Sequence, residues 1–355
     1  MNTLRAILSP ILFPISLLYS LVIYVRNRLY DIELLKSKQF HIPIISIGNI
    51  TAGGTGKTPH IEYLVKLLKD DFNIATLSRG YKRKTDGFLL STTGSTDLEI
   101  GDEPRQIKQK YPQIKVAVDA DRTNGIKQLQ KLDSPLDVIL LDDAFQHRKV
   151  KPGVSILLID FSRPIHKDFM LPLGNLRDNK TEKKRADIII VTKCPRSLPS
   201  KDQEQFLKKI KPRPNQKVFF TSFRYGKLKA VFDEKENKQE QDITDVLLLT
   251  GIANPKPLKQ FILNTICQNI RSVEYPDHYN FKESDFKNIQ KTFNAIKSDS
   301  KIIITTEKDA MRLQKFSNIA GKLKKQLFYI PIQVEFLNQQ SEVFNKQIIE
   351  YVRKD

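Results

Sequence analysis

Ile44 to Pro59 reads IISIGNITAGGTGKTP, and this stretch decides the fold. The apolar run Ile42 to Ile47 predicts a buried strand. A glycine-rich turn follows, then Lys57-Thr58-Pro59, then Ile61, Leu64, Val65, Leu67 and Leu68 at helical spacing. Strand, glycine loop, Lys-Thr and helix in that order make a phosphate-binding loop. Gly53, Gly54 and Gly56 let the backbone curl, so that N–H groups along Thr51, Ala52, Gly53, Gly54, Thr55 and Gly56 face a phosphate. The helix N-terminus adds partial positive charge. Lys57 then reaches the outer phosphates, and the Thr58 hydroxyl is a Mg²⁺ ligand. The first glycine of the usual pattern falls at Thr51. The competing reading is a glycine turn beside a chance Gly-Lys-Thr.

Downstream, Val138 to Leu141 ends in two carboxylates, Asp142 and Asp143. An acid at a strand's carboxyl end beside a phosphate loop holds Mg²⁺ directly or through water. Ala144-Phe145-Gln146-His147 continues the segment. Other strands are expected at Phe72–Leu77, Ile114–Val118, Val154–Asp160, Asp187–Thr192 and Val218–Ser222. Ser78-Arg79-Gly80-Tyr81 follows the first of these, where ligand sites of α/β sheets lie. Arg79 and Tyr81 face a ligand there, or else Arg79 is merely solvated. Gly101-Asp102-Glu103-Pro104 opens a helix, with Asp102 as a candidate N-cap. Thr192-Lys193 lacks the flanking Asn and Asp of a guanine-reading motif.

Beyond Tyr225 the charged turn DEKENKQEQD suggests a hairpin or linker. A second α/β run begins at Asp245–Thr250 and includes Asp277-His278-Tyr279-Asn280-Phe281 and Thr306-Glu307-Lys308-Asp309. A lone His278 in a turn is more often incidental than functional. These shifts divide the chain into an N-terminal helix (1–30), a phosphate-loop domain (31–224), a linker (225–245) and a smaller α/β domain (246–355), whose last helix is a candidate to return to the first.

With 355 residues and 40% apolar content, the chain is long enough for two packed domains. Cys194 and Cys267 form neither a disulfide framework nor a metal-ligand pattern, which suits a reducing compartment. A net charge of +19 favours nucleic acid, anionic lipid or a phosphorylated substrate. The basic residues are dispersed and no nucleic-acid-binding pattern occurs, so a nucleic-acid partner is not expected.

Ala6 to Val25 carries no charge, with Arg5 before it and Arg26 and Arg28 after. Twenty residues suffice to span a bilayer, but Pro10 and Pro14 disturb a spanning helix, and no small-x-small cleavage site marks a signal peptide. Arg5, Ser9, Ser16, Ser20 and Asn27 fall on one helical face, opposite a broad apolar face. That pattern favours a helix lying in the membrane interface, with its arginines toward anionic head groups, over a spanning anchor or a soluble-domain helix.

The ordered segments GNITAGGTGKTP, SRGY, GDEP, DADR, LDDAFQH, PLGNLRD, GIANP, DHYNF and TEKD run from Gly48 to Asp309. Together they resemble the tetraacyldisaccharide 4′-kinases of Gram-negative bacteria. The resemblance implies a P-loop NTPase-like α/β fold of two α/β/α domains joined by a β-ribbon, behind an N-terminal amphipathic membrane helix. It implies ATP and Mg²⁺ as cofactors, and phosphorylation of the 4′-hydroxyl of a tetraacylated glucosamine disaccharide 1-phosphate, at the inner face of the inner membrane. By the same resemblance Asp102 is the base, with His278 completing a dyad, and Lys57 serves the phosphates. Thr58, Asp142 and Asp143 serve the metal. Arg122 and Arg177 are candidate phosphate clamps, and Tyr81, Gln146, His147 and Asp178 candidate positioning residues. Thr51 matches the family's loop, whereas Ala144 stands where glycine is commoner. Ala lacks glycine's access to positive φ, which leaves the setting of Gln146 and His147 open. Other readings of the same loop are a metallochaperone- or ligase-type NTPase, disfavoured by the missing Cys and His clusters, and a membrane-docked regulatory or scaffold protein.

Overall fold

Strands Ile44–Gly48, Val138–Asp142 and Ile188–Thr192 are buried on both faces. Each is a run of β-branched residues and leucine, which suits the centre of a parallel sheet covered by helices on both sides. A computed structural model describes residues 7–232, 243–277, 279–316 and 321–354. Arg5, Ala6, the charged turn 233–242 and His278 lie outside the described residues. The chain divides into two compact units, Met1–Phe223 with Val334–Asp355, and Arg224–Gln333.

The strands of the first unit are β1 (Ile44–Gly48), β2 (Ile74–Ser78), β3 (Leu89–Leu90), β4 (Lys115–Val118), β5 (Val138–Asp142), β6 (Val154–Asp160), β7 (Ile188–Thr192) and β8 (Lys217–Tyr225). With β14 (Ile332–Phe336) they form one sheet, ordered β14-β8-β7-β6-β1-β5-β2-β4-β3. The pairings from β8 through to β4 are parallel, and β3 is antiparallel at the edge. The carboxyl ends of β1, β2, β4, β5, β6 and β7 therefore share one edge of the sheet. The chain reverses its direction of travel around β1, the place where α/β sheets bind ligands.

Alternation along these strands explains the continuous apolar runs. Ile45, Leu140, Ile156 and Ile190 pack into one core with Leu64 and Phe344. Their neighbours Ile44, Leu141, Leu157 and Val191 enter cores on the other face. The helix Ser341–Arg353 supplies Phe344, Ile348 and Val352 to the first core, and its Tyr351 hydroxyl accepts from the Ile44 amide at 3.0 Å.

The second unit has its own sheet, β9 (Lys229–Ala230), β10 (Asp245–Thr250), β11 (Asn269–Glu274), β12 (Lys301–Thr306) and β13 (Leu327–Ile330), ordered β11-β10-β12-β13-β9. Its first four strands are parallel. Asp309, fully buried, accepts from the Gly251 amide at 2.9 Å and the Thr306 hydroxyl at 2.8 Å, and Arg312 donates to it at 2.9 Å. The TEKD segment thus ties down the GIANP turn.

Helix α1 (Ser9–Asp31) lies on the first unit with its polar stripe inward. Ser16 and Asn27 are buried, whereas Ile11, Phe13, Leu17, Leu18, Leu21 and Val22 are exposed. The shared face of Ser9, Ser16, Ser20 and Asn27 is as expected, but it meets protein rather than head groups. Arg26 likewise turns inward, donating to the Gln146 carbonyl at 2.5 Å.

Helix α2 (Lys57–Leu68) follows the glycine loop, and its buried His60 fastens the two together. Nδ1 donates to the Gly56 carbonyl at 2.8 Å, and Nε2 lies 3.2 Å from the Thr221 hydroxyl. Burial pushes the imidazole down to about 4. A histidine held neutral in the fold but protonating near 6.5 when unfolded favours folding above pH 6.5. That stability is lost as pH falls from about 6.5 toward 4, amounting to roughly 2 kcal/mol by pH 5. Melting temperatures of wild type and His60→Gln measured at neutral pH and at pH 5 check this. The acid-induced drop should be smaller in the variant; equal drops would show that His60 does not contribute.

Candidate active site

The loop after β1 is shaped by close approaches. A Cβ on Gly48 would sit 2.7 Å from Phe145 Cβ, so only glycine lets β1 pass beneath the Asp142–His147 segment. Gly56 has φ +93° and leads into α2. Asn49, fully buried, donates to the Thr55 hydroxyl at 2.6 Å and so ties the loop's base to its crown. The Ala52 amide donates to the Asn175 carbonyl at 2.6 Å, joining the loop to the PLGNLRD segment. Thr51, the position of the missing glycine, is buried and bridges to Leu176.

Lys57 and Thr58 open α2, and Thr58 is buried. Lys57 Nζ lies 3.6 Å from Asp143. Arg177 grips the same carboxylate with both terminal nitrogens, at 2.9 and 3.1 Å, and also donates to the Asn49 side chain. Burial disfavours charge on Asp143, but Lys57 and Arg177 outweigh it and hold the carboxyl below its usual range. Asp143 is itself left-handed, with φ +49°. The strained residue of this turn is therefore Asp143, not Ala144, which packs in the core without positive φ.

Asp142 differs from its neighbour. Burial, then Glu103 and Asp143 nearby, push it up to about 7. Its Oδ1 is buried with no hydrogen-bond partner among the described residues. Arg122 lies beneath, nearly fully buried, donating to the carbonyls of Asp119 at 2.7 Å and Asp142 at 3.2 Å. Burial lowers its guanidinium to about 10. In this arrangement Arg122 braces the end of β5, and Arg177 is occupied by Asp143.

Asp102 is the first residue of a helix running to Lys110, half-buried at the same sheet edge. The cap is Gly101, with φ +89°, so Asp102 lies one position inside the helix rather than at the expected N-cap. Tyr81 is well exposed. Gln146 Nε2 donates to the Asn49 carbonyl at 2.7 Å. Burial and Arg122 lower His147 to about 4. Asp178 is fully buried, bound to Asn27 at 2.8 Å and Arg185 at 3.0 Å. It is a strut behind the site rather than a group open to ligand. His278 lies outside the described residues.

Sequence reasoning passed over several contributors. Asn49 lies within a quoted motif, but nothing local marks its role. Lys193, left-handed at the end of β7, donates to the Gly54 carbonyl and to Asp160 at 2.7 Å. Thr192 donates to the Thr55 carbonyl at 2.8 Å. Their position after a parallel strand is the available signal. Glu103, beside Asp142, was read only as part of a helix start.

A glycine loop after a central parallel strand, followed by Lys-Thr on a helix and flanked by an acidic strand end, defines a P-loop phosphoryl-transfer protein. The sequence matches the family described as tetraacyldisaccharide-1-P 4′-kinase over residues 8–353. A Bacteroides thetaiotaomicron tetraacyldisaccharide 4′-kinase is 44% identical, covering 97% of this chain and 93% of that protein. The corresponding Flavobacterium johnsoniae protein is 45% identical, covering 100% and 99%. The crystal structure of Aquifex aeolicus LpxK in complex with ATP superposes with a TM-score of 0.75 at 30% identity, covering 99% of this chain and all of the other. The chain belongs to the tetraacyldisaccharide-1-P 4′-kinase family.

Proposed function

We infer that this chain transfers the γ-phosphoryl group of ATP to the 4′-hydroxyl of a tetraacylated glucosamine disaccharide 1-phosphate. Family membership supports the reaction, and the observation that carries it to particular residues is the Lys57–Asp143–Arg177 cluster at the mouth of the glycine loop. Phosphoryl transfer needs positioning, charge neutralisation and removal of a hydroxyl proton. Gly53, Gly54, Thr55 and Gly56 offer their N–H groups to the phosphates; the Ala52 amide, expected to join them, is instead taken by the Asn175 carbonyl. Lys57 and Arg177 each face a carboxylate that an incoming triphosphate can replace as their partner. In an assay with radiolabelled ATP and the tetraacyldisaccharide 1-phosphate, wild type should form the doubly phosphorylated lipid. Lys57→Ala should lose most turnover, about 100-fold or more, with the fold intact; wild-type turnover in that variant would rule out the loop assignment.

Magnesium fits the acidic end of β5. The unpartnered, buried Oδ1 of Asp142 is an acceptor that a cation would satisfy, with the Thr58 hydroxyl and Asp143 as further ligand candidates. Bound there, the ion would neutralise phosphate charge. Asp142→Asn should weaken the Mg²⁺ dependence of nucleotide binding, because an amide cannot supply the carboxylate's charge. An unchanged Mg²⁺ titration would make Asp142 structural.

The family resemblance supports Asp102 as the base with His278 completing a dyad, because a carboxylate that orients and charges a histidine makes a proton acceptor. Two groups acting on one proton do not add when removed. Asp102→Ala and His278→Ala should each lower kcat with little change in nucleotide affinity, and the double variant should match the worse single one. Multiplicative losses would mean two independent roles.

The exposed apolar face of α1 supports docking on a membrane surface; the family resemblance alone places that surface at the cytoplasmic face of the inner membrane. α1 is long and apolar enough to cross a bilayer by composition. Its Ser16, Tyr19, Arg26 and Asn27 nonetheless hydrogen-bond to the protein body, which supports an interfacial rather than a spanning placement.

A further inference from the structure

The polar stripe of α1 does more than fill a groove. Tyr19 donates its hydroxyl proton to the Arg177 carbonyl at 3.0 Å. Asn27 Nδ2 donates to Asp178 Oδ1 at 2.8 Å. Arg177 and Asp178 are consecutive residues, and the Arg177 side chain forks onto Asp143. One turn of backbone therefore carries both the helix contacts and the fork. A second line runs in parallel: Arg26 donates to the Gln146 carbonyl, and Gln146 donates to the carbonyl of Asn49 at the base of the glycine loop.

Anchoring alone does not explain these residues. Asn27 is almost fully buried, and its Oδ1 has no hydrogen-bond partner among the described residues. A buried amide left half satisfied carries a desolvation cost that an apolar side chain packed at the same place would not. The carboxylate it meets, Asp178, is held on its other oxygen by Arg185, which also donates to the Phe145 carbonyl at 2.9 Å. Asn27 thus completes a network whose other members position the segments bearing Arg177 and Asp143.

We propose that Asn27 and Tyr19 are positioning residues for phosphoryl transfer, through which the seating of α1 sets the Arg177–Asp143 fork. The inference rests on the kinase reading above. It makes α1 a component of the site as well as its membrane contact. A guanidinium that must present paired N–H groups to an incoming phosphate, as Arg177 does to Asp143 in the resting site, is sensitive to displacements of about 1 Å, so a helix shift of that size is enough to change turnover.

The test uses the full chain with the lipid acceptor presented in vesicles of phosphatidylethanolamine and phosphatidylglycerol. Asn27→Ala should lower kcat roughly ten-fold, and Tyr19→Phe roughly three-fold, while vesicle co-sedimentation and the KM for ATP stay within about two-fold. A kcat that is unchanged, or that falls only in step with vesicle binding, reduces α1 to an anchor and overturns the proposal. Should Asn27→Ala fold poorly, seen as a lost melting transition, Tyr19→Phe decides, since it removes a single hydroxyl from a half-buried position. Hydrogen–deuterium exchange over residues 170–180 needs no turnover, and so separates failure of this coupling from failure of the kinase reading. Exchange there should be faster in Asn27→Ala than in wild type, and equal exchange overturns the proposal.

Discussion

Two adjacent carboxylates at the end of a buried strand set the terms for the rest of the site. Side by side in a low dielectric, Asp142 and Asp143 cannot both hold charge without compensation. The protein separates their environments. Asp143 turns into the left-handed region and meets Lys57 and Arg177. Asp142 stays inside with a raised pKa and one bare oxygen, above the buried Arg122. Lys57 comes from the glycine loop, Arg177 from PLGNLRD and Arg122 from the helix after β4. Neutralising this pair therefore draws three distant segments to one point. On the proposed reading Lys57 and Arg177 are also the cations a triphosphate would meet, with Asp143 as its internal stand-in in the resting site.

The glycine loop depends on that convergence. Asn49 bonds across the loop to Thr55 and accepts from Arg177, while Lys193 and Thr192 fasten the crown to the ends of β6 and β7. His60 fixes the first turn of α2 to Gly56. A loop whose backbone must present several N–H groups at once benefits from being held at base, crown and exit, because preorganised donors need no rearrangement when charge develops.

Helix α1 inverts the usual arrangement of a surface helix. Its polar residues are inside and its apolar residues outside, which in water leaves a large apolar face uncovered. Such a face suits the membrane surface proposed above. The inward polar stripe then becomes free to make directional bonds, and those bonds end on the segments that carry Arg177 and Gln146.

Local chemistry is legible along the chain. Strand, glycine loop and helix from Ile44 to Leu68 are readable because each depends on neighbours in the chain: apolar runs, glycines, helical spacing. The same holds for the acidic end of β5, the second α/β run and the shared polar face of Ser16 and Asn27. Which groups meet depends on the fold. Arg177 and Asp143 are 34 residues apart, and Asn27 and Asp178 are 151 apart, with no local signal pairing them. Arg177 and Asp178 adjoin in one motif, yet the fold turns Arg177 onto the Asp143 carboxylate at the site and buries Asp178 behind it. The polar stripe of α1 was legible, but its direction was not. Periodicity fixes which residues share a face, whereas the partner of that face is set by long-range packing and hydrogen bonding.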